Sequence, residues 1–176
     1  MTESAPISLD SISKDQASVL KNLFELYVYD FSEQLSLDLK PSGLFEVPLG
    51  EEWWSRDDHF PFFIRAGQAG TLLGFALVRR GSPVTGATDV MDVAEFFVLR
   101  GARARGVGQA AARALFALFD EPWEIRVRES NPLAQKFWSR VVSGWQGLPP
   151  TPVPFAHDGV NCILLRVPRR EPGSPR

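Results

Sequence analysis

The sequence predicts an α/β (α+β) fold in a single domain, and three stretches predict it. Residues 92–99, rich in Val and Phe, read as a strand; a turn with Gly101, Gly106 and Gly108 then leads into a helix over 109–119. Residues 124–128, Glu-Ile-Arg-Val-Arg, alternate strictly and form a second strand, followed by a helix that Asn131 caps and Pro132 opens. Residues 60–65 and 71–79 read as two strands of a hairpin, joined through Gly67 to Gly70.

Composition narrows the class. A chain of 176 residues suits one domain with a sizeable core, expected over 1–168, with a polar, Pro-rich tail at 169–176 expected to be disordered. Hydrophobic residues at 44% are ordinary for a globular protein. No apolar run reaches bilayer length and no signal peptide is read, so no membrane partner is expected. The single cysteine, Cys162, excludes an internal disulfide and fits a reducing cytoplasm. A formal charge of -2 offers no basic footprint for nucleic acid. No residues stand at a recognisable metal-ligand spacing, so no metal is expected.

In chain order, Ile7-Ser8-Leu9 alternates as a first strand. Ser13 or Asp15 then caps a helix through Val19, Leu20, Leu23 and Leu26. Residues 26–33 mix aromatics with acids where this helix is expected to end and another to begin. Two readings stand there: an amphipathic helix with its tyrosines at the edge, or an acidic, aromatic wall for an amine-bearing substrate. Residues 40–44 form a loop and 51–55 a helical turn in which Trp53 and Trp54 belong to core or lid. Asp57-Asp58-His59 reads as a turn, with His59 at the surface. A Gly/Pro/Ser/Thr loop at 81–88 precedes the central strand, and Pro122 ends the helix beyond it. The helix from Asn131 is expected to end near Gly144, His157-Asp158-Gly159 to turn, and 160–167 to form a last strand with Cys162 as a small core residue.

A strand entering a helix through glycines makes an anion site, because first-turn N–H groups lack internal partners and the helix dipole is positive there. Gly106-Val107-Gly108-Gln109-Ala110-Ala111 fits the dinucleotide pattern G-x-G-x-x-A, which would make an NAD(P)-binding protein, but too little chain follows for the required βαβ units. A Walker loop needs Gly-Lys-Ser/Thr, and Gln109 follows Gly108. The run Arg103-Ala104-Arg105-Gly106-Val107-Gly108, preceded by Phe96-Phe97-Val98, resembles the pyrophosphate-binding motif of the GNAT superfamily of acetyl-CoA-dependent N-acetyltransferases. Asn131, Ala134, Phe137 and Trp138 resemble a second motif of that family, Asn-x-x-Ala-x-x-Phe-Tyr, and 74–78 resembles its third strand.

The resemblance implies a mixed, mostly antiparallel sheet of six to seven strands flanked by helices, with a splay between the fourth and fifth strands that takes the pantetheine arm of acetyl-CoA. It implies that Phe96, Phe97 and Val98 pair with pantetheine. Arg103, Ala104, Arg105, Gly106, Val107, Gly108 and Gln109 would hold the pyrophosphate, and Asn131, Ala134, Phe137 and Trp138 would flank the thioester. The implied reaction moves an acetyl group from acetyl-CoA to a primary amine of a small molecule by direct attack, with a backbone N–H at Val98 meeting the carbonyl oxygen. Glu95 is the first candidate base and Asp92 the second. They have opposite parity on an ideal strand, so both face one pocket only if a bulge intervenes. Glu95, Asp92, Asp30 and Glu33 would make that pocket acidic.

Trp138 departs from the family tyrosine that protonates the leaving thiolate, and indole is no general acid. Three explanations stay open: the thiolate leaves unprotonated, Tyr27 or Tyr29 donates from the other wall, or the domain is a non-catalytic acyl-CoA-binding or regulatory module. The expected protein is cytoplasmic, a monomer or homodimer.

Overall fold

The computed structural model describes residues 6–32, 34, 37–67 and 70–169. Glu33 of the expected acidic wall and residues 170–176 of the expected tail lie outside the described residues. The elements follow as β1 (Ile7–Ser11), α1 (Ala17–Ser32), α2 (Glu52–Ser55), β2 (His59–Ala66), β3 (Thr71–Arg80), β4 (Met91–Val98), α3 (Val107–Leu118), β5 (Trp123–Arg128), α4 (Pro132–Gln146), β6 (Val153–His157) and β7 (Val160–Val167). They build a 7-stranded sheet in the order β1-β2-β3-β4-β5-β7-β6. All neighbouring pairs but β4 and β5 are antiparallel. β4 and β5 are parallel because α3 crosses between them, as a parallel pair requires.

Strand alternation gives the sheet two apolar faces. One takes α3 and α4, whose Leu115, Phe116, Val141 and Val142 pack on Val78, Met91, Ile125 and Leu165. The other takes α1, whose Leu20, Leu23, Phe24 and Val28 recur at helical spacing and pack on Phe63, Phe75 and Leu77. Asn131 caps α4 by accepting the Ala134 N–H at 3.0 Å, and Pro132 takes the first turn, where no N–H is needed.

Several boundaries differ from the expectation. α1 does not break within 26–33 but runs to Ser32, since its apolar face continues against β3 and β4 through Tyr27 and Val28. α4 passes Gly144 and ends at Gly147, whose φ of 78° is the left-handed turn that closes the helix. Gly144 instead makes room for Arg113 of α3, which lies 2.8 Å from where a Cβ would stand. His59 is no surface residue: it begins β2, its ring meets Trp53 at 4.8 Å, and Nδ1 lies 2.7 Å from Asp58. β6 was not expected. Asp158 and Gly159, at φ 49° and 74°, form the two-residue hairpin loop that Asp-Gly favours.

A row of charges crosses the sheet where β4 meets β5. Arg79, Asp92, Glu124 and Arg166 are successive cross-strand partners on β3, β4, β5 and β7. Asp92 is fully buried, with Arg79 Nε at 2.9 Å and Arg126 Nε at 3.1 Å. Glu124, also buried, accepts from Ser82, from Thr85 at 3.2 Å and from Arg166 at 3.2 Å. A carboxylate withdrawn from water is tolerable only with such partners, and losing it strands the guanidiniums facing it.

Asp92→Asn should therefore cost about 3–5 kcal/mol. Asp30→Asn, whose partners Arg100 and Arg103 reach solvent, should cost less than about 1 kcal/mol. Urea unfolding of the two variants measures the contrast.

Candidate active site

β4 and β5 are joined by the pairs Met91↔Trp123, Asp92↔Glu124 and Val93↔Ile125, and no further. The cause lies on the other side of β4. Against β3 the register slips, from Val78↔Val93 to Leu77↔Glu95, which leaves Ala94 as an extra residue. Such a bulge bends and twists its strand, so β4 turns away from β5. Beyond Val93 a cavity of about 470 Å³ opens between them, with α1 above and α4 beside it. A second hollow, about 730 Å³, lies by Asp120 and Glu121 at the far end of β4; it contains neither motif, and its Glu121 is paired with Arg80 at 2.6 Å.

The bulge also decides which side chains face together. It shifts parity by one, so Glu95 partners Leu77 and shares the α1 face with Asp92, which partners Arg79. Their surroundings nevertheless differ. Glu95 lines the cavity, where the Tyr27 hydroxyl donates to its Oε2. Asp92 sits below, enclosed by Arg79 and Arg126, and does not line the cavity. Burial pushes the Glu95 carboxyl above its usual value, opposed by the Tyr27 hydrogen bond and by Arg126. Burial, then the charge of Glu95, raise the Tyr27 hydroxyl well above its usual value, so it stays a donor.

Tyr29 does not belong to this group. It lies two residues from Tyr27, on the opposite side of the helix, and is 62% exposed. Tyr27 sits among Phe24, Phe31, Phe75 and Phe97 with ring centroids 4.7–5.7 Å away. Asp30 is no cavity wall either, being bound by Arg100 at 2.6 Å and by Arg103.

Phe96, Phe97 and Val98 pair with β3 through Ala76, Phe75 and Gly74, and their other edge faces the slot. Phe97 points toward α1; Phe96 points toward α4, stacked on Phe137 at 5.8 Å and edge-on to Trp138 at 5.0 Å. Trp138, Asn131 and Ala134 line the cavity. Trp138 is 6% exposed and acts as a wall.

At the end of β4 the chain turns through Ala104 and Gly106, both at positive φ, 60° and 79°. Left-handed geometry is costly for alanine and easy for glycine. The N–H groups of Val107, Gly108 and Gln109 fall in the first turn of α3, where they have no intrahelical partner and Gly106 supplies no side-chain cap. Gly108 serves packing: a Cβ there would stand 3.0 Å from the Phe137 ring. Arg103 is engaged elsewhere, donating to Val98 O at 2.8 Å and to Asp30. The Arg105 guanidinium is exposed and has no hydrogen bond or ion pair among the described residues. The sequence reading missed Arg126 and Arg128, the cavity's cations; their positions on the polar side of an alternating strand were the available signal.

The acetyltransferase (GNAT) family model matches residues 21–142. No curated protein matches the chain in sequence. The fold is similar to an acetyltransferase from Thermus thermophilus, at 17% identity and TM-score 0.63, covering 94% of this chain and 98% of that one. It is similar to AAC(6')-Ib in complex with paromomycin and acetyl-CoA, at 12% identity and TM-score 0.66, covering 94% of each chain. It is also similar to a chimera of the spermidine N-acetyltransferase of Vibrio cholerae, at 11% identity and TM-score 0.56, covering 93% of this chain and 95% of that one. At these identities the likeness is one of fold.

Because the Tyr27 hydrogen bond favours the charged carboxylate, its removal should raise the Glu95 midpoint further. Carbon NMR of the Glu95 carboxyl across a pH series should show Tyr27→Phe titrating at higher pH than the parent.

Proposed function

The chain belongs to the acetyltransferase (GNAT) family, and from that premise we propose that it moves the acetyl group of acetyl-CoA onto the primary amine of a small-molecule acceptor. One observation carries the reading. A slot between parallel strands has helix-start N–H groups at its mouth and a lone recessed carboxylate, Glu95, on the α1 side. The N-acetyltransferase activity follows from the family; the acceptor class and the residue roles are the proposal.

Acetyl-CoA fits the residues present. Amides of Val107, Gly108 and Gln109 offer donors for the pyrophosphate, and Arg105 adds an uncommitted charge. Ala104 and Gly106 shape that turn, while Arg103 braces it against Val98. The slot-side edge of Phe96, Phe97 and Val98 offers backbone groups to the pantetheine amides. Asn131, Ala134 and Trp138 border the same channel, with Phe137 packed against Trp138 at 4.9 Å.

Glu95 acts as the base. It accepts the proton of the acceptor ammonium, directly or through a water, and Tyr27 holds its carboxylate toward the cavity. The freed nitrogen lone pair forms the C–N bond with the acetyl carbon, the C–S bond breaks with its electron pair leaving on sulfur, and the second nitrogen proton passes to solvent water as the amide forms. A backbone N–H of residues 96–98 meets the carbonyl oxygen as charge builds. Trp138 has no proton to supply and the Tyr27 hydroxyl is committed to Glu95, so the sulfur departs as thiolate. With a thiol pKa of about 8.5 that is a tolerable leaving group. Asp92 holds Arg126 and is not a base. The small-molecule class draws support from the size of the cavity, about 470 Å³, and from the paromomycin and spermidine named for proteins of similar fold.

Glu95→Gln should lower kcat by about 100-fold or more while acetyl-CoA binding is retained. Arg105→Glu should weaken acetyl-CoA binding by about tenfold with the base intact. Thiol release across an amine panel and calorimetry with acetyl-CoA read the two effects. Tight cofactor binding with no thiol release from any amine would favour a binding module instead.

A further inference from the structure

β5 turns its polar face toward α1, and its charges can be followed outward along the strand. Glu124 is met by Arg166, and Arg126 by Asp92. Arg128, at the open end, lines the cavity, and its guanidinium makes no hydrogen bond or ion pair among the described residues. A guanidinium half withdrawn from water, with five donors unused, is a binding element in want of an anion.

The acids near the cavity do not meet that need. Asp92 is enclosed by its own two arginines, and Asp30, which does not line the cavity, is bound to Arg100 and Arg103. Asp158 stands at the rim with a side chain 90% exposed. Glu95 feels the Arg128 charge, which lowers its carboxyl, but it makes no hydrogen bond or ion pair with Arg128, is turned to Tyr27, and becomes neutral whenever it accepts a proton. A polyamine would bring a second cation against Arg128, in a cavity whose acids are already engaged.

Resting on the acetyl-transfer reading above, we infer that the acceptor is an amine that also carries a carboxylate, which Arg128 grips in a two-pronged hydrogen bond while the amine faces Glu95. One guanidinium without a hydrogen-bonded partner presents one fork, matched to a monoanionic carboxylate. Among the described lining residues, the second charge of a phosphate ester would find Arg126, already held by Asp92, and His157, whose Nε2 stands 3.5 Å from Asp158. The two ends of the acceptor thus meet opposite walls, Arg128 on β5 and Glu95 on β4.

The test pairs linear ω-amino carboxylates and α-amino acids with their carboxamides, alongside spermidine, and reads kcat/KM by thiol release. Carboxylates should exceed their carboxamides by about 10- to 100-fold, the range for a hydrogen-bonded charge. Arg128→Gln should erase that preference through KM, with acetyl-CoA affinity and melting temperature unchanged, and Arg128→Lys should restore part of it. Equal rates for carboxylate and carboxamide, or a preference for spermidine, would overturn the inference and leave acetyl transfer standing. A second readout is independent of turnover: calorimetry of N-acetylated product carboxylates and carboxamides on the CoA-loaded protein. If carboxylates bind more tightly in the parent but not in Arg128→Gln, the anion site stands even if no amine releases thiol, a result that would count against transfer alone. If the two product classes bind alike, the inference fails.

Discussion

The structure depends on a line of charged cross-strand partners, Arg79, Asp92, Glu124 and Arg166, laid across four strands at the base of the slot. β4 and β5 share only a short parallel ladder, and its middle pair sets two buried carboxylates side by side. Left alone they would repel and drive the strands apart. With Arg79 and Arg126 on one and Arg166, Ser82 and Thr85 on the other, each is satisfied, and the strands stay joined there. The slot has a closed end because that line holds, and its depth is the distance from there to the glycine turn.

The bulge at Ala94 does two jobs with one inserted residue. It bends β4 out of pairing with β5, which opens the slot. It also reverses side-chain parity, so Glu95 comes to the α1 face while Phe96 turns toward α4. Without the insertion Glu95 would face the apolar layer of α3 and α4. The same residue therefore creates the space and delivers the carboxylate to it.

Arginines divide the labour by what each has already found. Arg126 serves Asp92, and Arg103 ties α1 to the glycine turn through Asp30 and Val98. Arg105 at the mouth and Arg128 inside have no hydrogen bond or ion pair among the described residues. In this reading, one of them addresses the phosphates of one substrate and the other a carboxylate of the second.

Much was legible in the residues themselves. Periodicity and caps marked β4, α3, β5 and α4, and the two motifs marked the family, because these depend on neighbours a few positions apart. The Asp-Gly hairpin that makes β6 carries a signal of the same local kind. Which acids and bases remain free was not legible. Asp92, Asp30, Arg103 and Arg126 look as available in the sequence as Glu95, Arg105 and Arg128. They are neutralised by residues 13 or more positions away, brought close by strand register and by the bulge. Tyr27 and Tyr29 are likewise alike on paper, and the facing of one helix sends one to the carboxylate and the other to water. Local pattern determined the elements and the chemistry on offer. Electrostatic pairing acts through space, so only the folded chain decided which of that chemistry is left to use.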